Sequence, residues 1–204
     1  MQKGSGSEMS VRLFQNRWLE LMTFMPMKIF LPFWALILAL VIYNTLPMPA
    51  GHFLELVSLG FLMWSVIEYL GHRFLFHLEL KSAFGQHLIF IIHGNHHDLP
   101  SDPLRNMLPL NVTVPIAAAL WFGAVSLFHQ NGKAIFLGFL LGYVGYDFIH
   151  YACHQFPMKK WPFFRRLHRH HMLHHYAKPD RNFAVTAIFW DRICGTKSEK
   201  RRQS

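Results

Sequence analysis

Cysteine is nearly missing. Cys153 and Cys194 are the only two in 204 residues, which gives no disulfide framework and argues against a thiolate metal site. Charge is scarce too. Asp, Glu, Lys and Arg make up 15% of the chain, against 52% hydrophobic and 16% aromatic residues, a balance unusual for a small soluble domain. No secretory signal is expected, because the first apolar run begins too far in and no small-residue cleavage site follows it. The few charges are unevenly spread. Residues 159–204 carry twelve basic and three acidic side chains, whereas residues 1–158 carry eight of each. A basic end on so apolar a chain suits anionic lipid and gives no reason to expect nucleic acid.

Four apolar runs account for the composition. Residues 29–46, IFLPFWALILALVIYNTL, hold no charge. Residues 53–70 are interrupted only by Glu55 and Glu68, and Pro47-Met48-Pro49-Ala50-Gly51 turns the chain between these two runs. Residues 112–128 and 133–150 flank a second turn at Gln130-Asn131-Gly132. About 20 residues cross a bilayer. A soluble domain with four such helices has too little polar surface. The expected fold is therefore an all-α membrane protein, with four transmembrane helices as two hairpins and a helical cap of residues 71–110 and 151–197. Residues 1–28 precede this domain as a polar tail, with Gly4-Ser5-Gly6-Ser7, and an interfacial helix over 13–28 that carries Phe14, Trp18, Leu21 and Met22. The domain is expected over 29–197, with a basic tail over 198–204. Arg12, Arg17, Lys28, Arg73, Lys81, Arg105 and the basic end all fall on one side of these spans, and Lys133 falls on the other. The positive-inside rule puts the termini and the cap in the cytosol, in a bacterial inner membrane or endoplasmic reticulum. Lys159, Lys160, Arg165, Arg166 and Arg169, interleaved with Trp161, Phe163 and Phe164, read as a segment at headgroup depth.

Histidine, in contrast, is abundant at fifteen residues. Ten fall in four clusters on the cytosolic side: His72 and His77; His93, His96 and His97; His150 and His154; His171, His174 and His175. Residues four apart share a helical face, as do His93 and His97, His150 and His154, and His171 and His175. His72 and His77, five apart, do not, and a bend is expected near Gly71. Imidazoles aimed at one point cannot all be protonated, and a shared cation resolves the conflict. One metal takes about four or five such ligands, so ten suit two metals. Nitrogen donors beside apolar substrate suit iron and O2, because no side chain breaks an unactivated C–H bond. Zinc outranks ferrous iron in affinity for such donors and is expected to appear in purified protein.

HRFLFH at 72–77, HGNHHDLPSDPLRNMLP at 93–109, YDFIHYACH at 146–154 and HMLHH at 171–175 resemble the fatty acid hydroxylase superfamily of membrane di-iron enzymes. The run from His93 to Pro109, with Phe189-Trp190-Asp191-Arg192 and Gly195-Thr196, is most similar to the fatty acid 2-hydroxylase branch. The resemblance covers about residues 55–197. It implies that the ten histidines ligate two iron ions, that O2 is the oxidant, and that hydroxyl is placed on carbon 2 of a fatty acid or acyl lipid. Sterol oxidation, desaturation and carotenoid hydroxylation are alternative chemistries on the same scaffold; a metal-transport protein is the non-enzymatic alternative. Members of this family often carry a cytochrome b5 domain. The sequence holds none, so the expected partner is a separate donor, cytochrome b5-like or ferredoxin, with its reductase.

Other polar residues near the clusters invite roles. Asp98, Asp147, Asp191 and Glu68 are candidates to accept hydrogen bonds from the outer ring nitrogens of the ligands. Arg105 is a candidate anchor for a substrate carboxylate or phosphate, with a structural pairing to Asp102 as the alternative. His87, His168 and His170 are expected not to be ligands.

Overall fold

The computed structural model describes residue 10 and residues 12–198; the tail expected at 4–7 and nearly all of the tail expected over 198–204 lie outside the described residues. The described secondary structure is entirely helical. A short α1, Arg17–Leu21, is capped by the Asn16 side chain, which accepts from the Trp18 and Leu19 backbone N–H groups. Only five residues of the interfacial helix expected over 13–28 thus form one helix. Pro26, which lacks an N–H, stands instead at the start of α2, Met27–Thr45. The third helix, α3, Ala50–Leu70, runs straight into a π-helical turn, Gly71–Phe76. Then come α4, Ala83–Ile89, a second π turn, Phe90–Gly94, and α5, Asn95–Asp98. The chain continues through α6, Leu110–Gln155, α7, Pro162–Tyr176, and α8, Phe189–Ile193.

Among the described residues, three helices are long and apolar enough to cross a membrane: α2, α3 with its π turn, and α6. At 46 residues, α6 would measure about 69 Å if straight, roughly twice a bilayer core. It is not straight. His129 leaves helical conformation at φ 51°, ψ −124°, and the chain doubles back. The Trp121 and Phe136 rings meet at 5.3 Å, where a straight helix would hold them about 22 Å apart. The arms 110–128 and 130–155 are therefore antiparallel. The turn expected at Gln130-Asn131-Gly132 sits at His129. Gly132 instead lets the arms touch, since a Cβ there would overlap the Ala124 carbonyl.

The same small-residue logic joins α3 to the second arm. A Cβ on Gly60 would overlap the Ile135 carbonyl, and one on Gly138 the Val57 carbonyl. Backbones approach this closely only where side chains are absent. Helix α2 covers the pair through Phe30 and Trp34, both buried, whose rings pack on Tyr143. At one end of this bundle Gln130 Nε2 donates to the Thr45 carbonyl at 2.6 Å and Lys133 Nζ to the Asn44 carbonyl at 3.2 Å. The clustered histidines lie at the other end.

The chain after α7 returns over α3 as a strap. Trp190 Nε1 donates to Ser65 Oγ at 3.1 Å, and the Tyr69 and Thr196 hydroxyls meet at 2.9 Å. Gly195, at φ 68°, makes the turn that brings Thr196 back.

Candidate metal centre

Two π turns set the register of the first two clusters. On an α-helix, residues five apart point about 140° away from each other. A π turn closes on the fifth residue, and across Gly71–Phe76 the His72 and His77 rings lie 5.1 Å apart. The bend expected near Gly71 is therefore a wider helical turn; Gly71 itself keeps helical dihedrals of −62° and −47°. The second π turn carries His93, and the Asn95 amide holds it by donating to the Phe90 and Ile91 carbonyls at 2.8 and 2.7 Å. From α6 come His150 and His154, and from α7 His171, His174 and His175.

The ten rings sort into two groups of five. His72, His77, His93, His97 and His174 form one group, and His96, His150, His154, His171 and His175 the other; within each, the ligating atoms lie within 4.8 Å of one another. Adjacent residues go to different groups, as His96 and His97 do, and His174 and His175. The sequence spacing alone did not assign this partition.

The spacing between ring nitrogens fits metal ions. His93 Nε2 lies 3.2 Å from His72 Nε2 and 3.0 Å from His97 Nε2. His171 Nε2 lies 2.8 Å from His154 Nε2 and 3.1 Å from His175 Nε2. Metal–nitrogen bonds of about 2.1 Å at right angles separate neighbouring donors by about 3.0 Å. Tautomers agree. The outer nitrogens of His72, His150 and His174 face the backbone carbonyls of Phe183, Asn106 and Arg181 at 2.5, 2.7 and 2.8 Å. A carbonyl only accepts, so each Nδ1 carries the proton and each Nε2 presents a lone pair. His150 Nε2 is buried without a hydrogen-bond partner. A cation satisfies these convergent lone pairs, and hydrogen bonds among imidazoles do not.

The carboxylates expected to orient the rings act differently. The described hydrogen bonds of Asp191 and Glu68 do not reach any of the ten histidines. Asp191 accepts from the Phe183 and Ala184 N–H groups at 2.9 Å, from Thr196 Oγ1 at 2.7 Å and from His170 Nε2 at 2.9 Å. Glu68 accepts from the Val185 and Thr186 N–H groups at 2.7 Å and from the Thr186 hydroxyl. Both clasp the 183–186 strap, whose Phe183 carbonyl faces His72, so they act one step removed. Asp98 is exposed. Asp147 Oδ2 is buried in a cavity wall. The carbonyls of Asn106, Arg181 and Phe183 had no signal in the sequence, because every residue owns one. His170 pairs with Asp191, His87 is exposed and His168 is half-buried; none belongs to either group.

Burial fixes the protonation state. It pushes the His77 imidazole down to about 4. Burial, with repulsion from neighbouring imidazoles, brings His97 and His174 to about 3. His93, His96, His171 and His175 are pushed down for the same reasons. At neutral pH these rings are uncharged donors. For Asp191, burial pushes the carboxyl up, but hydrogen bonds from His170, Thr196 and Ala184 together hold it below its usual value. Unfolded imidazoles titrate near 6.5, so between about pH 6.5 and 4 the unfolded chain binds more protons than the folded one, and stability falls as pH falls. The metal-free protein in detergent is expected to unfold at progressively lower temperature from pH 7 to pH 4; a flat midpoint would contradict buried neutral rings.

A cavity of about 600 Å³ adjoins both groups. His72, His93, His96 and His150 line its top, and mostly apolar side chains from α3 and both arms of α6 line the rest. Arg105 also borders it, but not as a free anchor. Its buried guanidinium pairs with Glu20 and donates to the Thr23 carbonyl and hydroxyl at 2.9 and 2.7 Å. The arginine expected to hold a headgroup thus ties the α1 segment to the 102–109 loop, where Met25 N–H also donates to the Leu104 carbonyl.

Residues 57–196 match the profile of the fatty acid hydroxylase family. The chain is 36% identical over 146 residues to the dihydroceramide fatty acyl 2-hydroxylase FAH2 of Arabidopsis thaliana, which covers 69% of this chain and 60% of that protein. It is 38% identical over 156 residues to the fatty acid 2-hydroxylase of Homo sapiens, covering 72% of this chain and 40% of that one. The chain thus spans 40–60% of these relatives' length. A solved structure of full-length scs7p, with only the hydroxylase domain visible, superposes with a TM-score of 0.82 at 32% identity over 91% of this chain and 71% of that one. With its histidines gathered at one end of an apolar helical bundle, this chain belongs to the fatty acid hydroxylase family.

Proposed function

We propose that this protein hydroxylates carbon 2 of an acyl lipid, and that the ten histidines of the two groups hold a pair of iron ions. The observation that carries this reading is the cavity: one apolar, lipid-sized space touches both imidazole groups at its top. In the overall reaction a C–H bond becomes C–OH, the second oxygen atom of O2 leaves as water, and a donor supplies two electrons with two protons. When bound, the metal pair supplies the oxygen activation that side chains lack. The protein does the rest. Carbonyl-oriented imidazoles keep their lone pairs aimed. The cavity holds the chain so that carbon 2, rather than its neighbours, lies against the metals. Apolar walls exclude water.

The acyl group belongs to a ceramide-type lipid, as the names of the plant relatives suggest. Asp147 Oδ2 and the Tyr143 hydroxyl, near one another in the buried cavity wall, offer an acceptor and a donor. An amide-linked acyl group supplies the complementary N–H and carbonyl; a free fatty carboxylate meets a second carboxyl there. Four helical stretches, α2, α3 and the two arms of α6, cross the membrane as two hairpins. The histidine layer and both termini face the cytosol, where the Lys/Arg bias puts them, and the 159–169 segment rests among lipid headgroups. Electrons come from a separate cytochrome b5-like protein or ferredoxin with its reductase.

Lipid profiling of a host with and without the gene tests this. The expected gain is 2-hydroxy acyl chains in the amide-linked fraction, dependent on O2. Oxidised sterols or new double bonds in place of 2-hydroxy chains would overturn the assignment.

A further inference from the structure

The acyl cavity stops short of the far end of the helical bundle. Of the second arm of α6, Phe136 is the lining side chain farthest from the histidines, and it and Ala117 on the first arm also line a second cavity of about 410 Å³. The second space runs between α2 and the first arm toward Leu40 and Asn44. We propose that Phe136, with Ala117 opposite, is the floor that sets the longest acyl chain this protein takes. This rests on the reading that the first cavity holds the acyl chain.

Three observations support it. The first concerns length. From Asp147, where the amide is held, to Phe136 the second arm rises eleven residues, about 16.5 Å, close to the roughly 15 Å depth of one leaflet of a bilayer core. The first cavity therefore accepts a tail about as long as one that spans a leaflet before it meets the floor. The second concerns rigidity. Phe136 is 5% exposed, and the Trp121 ring stands edge-on to it at 5.3 Å and 75°, so the floor is a fixed wall rather than a swinging side chain. The third is continuity. Because both spaces share the same two residues, shortening Phe136 joins about 410 Å³ to about 600 Å³. The occupant of the joined space is the methyl end of the substrate's own chain. The Asn44 carbonyl, which accepts from Lys133 Nζ at 3.2 Å, marks the polar limit beyond which an apolar chain does not extend.

The test uses two substitutions that act in opposite directions. Phe136→Leu keeps an apolar side chain in the core and opens the floor; Ala117→Phe fills the junction. The readouts are the chain-length distribution of the 2-hydroxy products and that of the acyl lipids co-purifying with the detergent-solubilised protein, which needs no turnover. One methylene more or less in an apolar pocket discriminates by about tenfold or more. Phe136→Leu is therefore expected to raise the ratio of longer to shorter chains roughly tenfold, and Ala117→Phe to lower it. If either variant fails to fold, the other decides. Wild-type distributions from a folded variant, in products and bound lipids alike, would overturn the proposal. Absence of any 2-hydroxy product from the wild type would sink the proposed function, while the bound lipids would still decide the floor.

Discussion

Replacing His93 with alanine is expected to abolish the 2-hydroxy product, with at least a 100-fold loss, and to remove about one metal ion per chain while leaving the other. The reason is positional. His93 Nε2 sits between His72 and His97 at 3.2 and 3.0 Å, so its loss opens the middle of one five-imidazole group and removes none of the five in the other. Outer hydrogen bonds to a metal ligand are typically worth about 10–100-fold in affinity or activity, and a ligand itself is worth more. Metal analysis beside product analysis checks it. An unchanged product yield would remove His93 from the ligand set.

Substituting Asp191 with alanine is the second large effect. Asp191 makes no described hydrogen bond to the ten histidines, yet four donors converge on it: the Phe183 and Ala184 N–H groups, Thr196 Oγ1 and His170 Nε2. Removing the acceptor leaves buried donors without partners, at a cost of about 1–3 kcal/mol each. The Phe183 carbonyl, which fixes the His72 tautomer at 2.5 Å, then loses its anchor. Both thermal stability and metal retention are expected to fall, the latter about 10-fold or more in a chelator competition. A variant that is less stable but retains metal as the wild type does would restrict Asp191 to folding.

The histidine spacing marked the ten rings that gather, because i, i+4 pairs survive wherever the backbone is α-helical. Their partition into two groups was not legible. It depends on π turns at 71–76 and 90–94, and nothing in GHRFLF or FIIHG announces a wider helix. The hairpin in α6 was legible from its apolar length, but its turn fell at His129 rather than Gln130-Asn131-Gly132. The residues chosen for turn propensity included a glycine needed for interhelical contact. Asp191 and Glu68 were singled out as acceptors for the outer ring nitrogens of the ligands. Their targets, backbone N–H groups of the strap, belong to residues more than a hundred positions from Glu68 and carry no side-chain signature. Arg105 looked like a headgroup anchor because its partner Glu20 lies 85 residues earlier, in a segment that reads as a separate surface helix.

Metal stoichiometry with local structure is the most direct test of the whole account: elemental analysis of the purified, iron-reconstituted protein together with X-ray absorption at the metal edge. About two ions per chain are expected, each surrounded by nitrogen at about 2.1 Å, with both released as the imidazoles protonate at low pH. Fewer than one ion per chain, or a first shell dominated by oxygen, would contradict it.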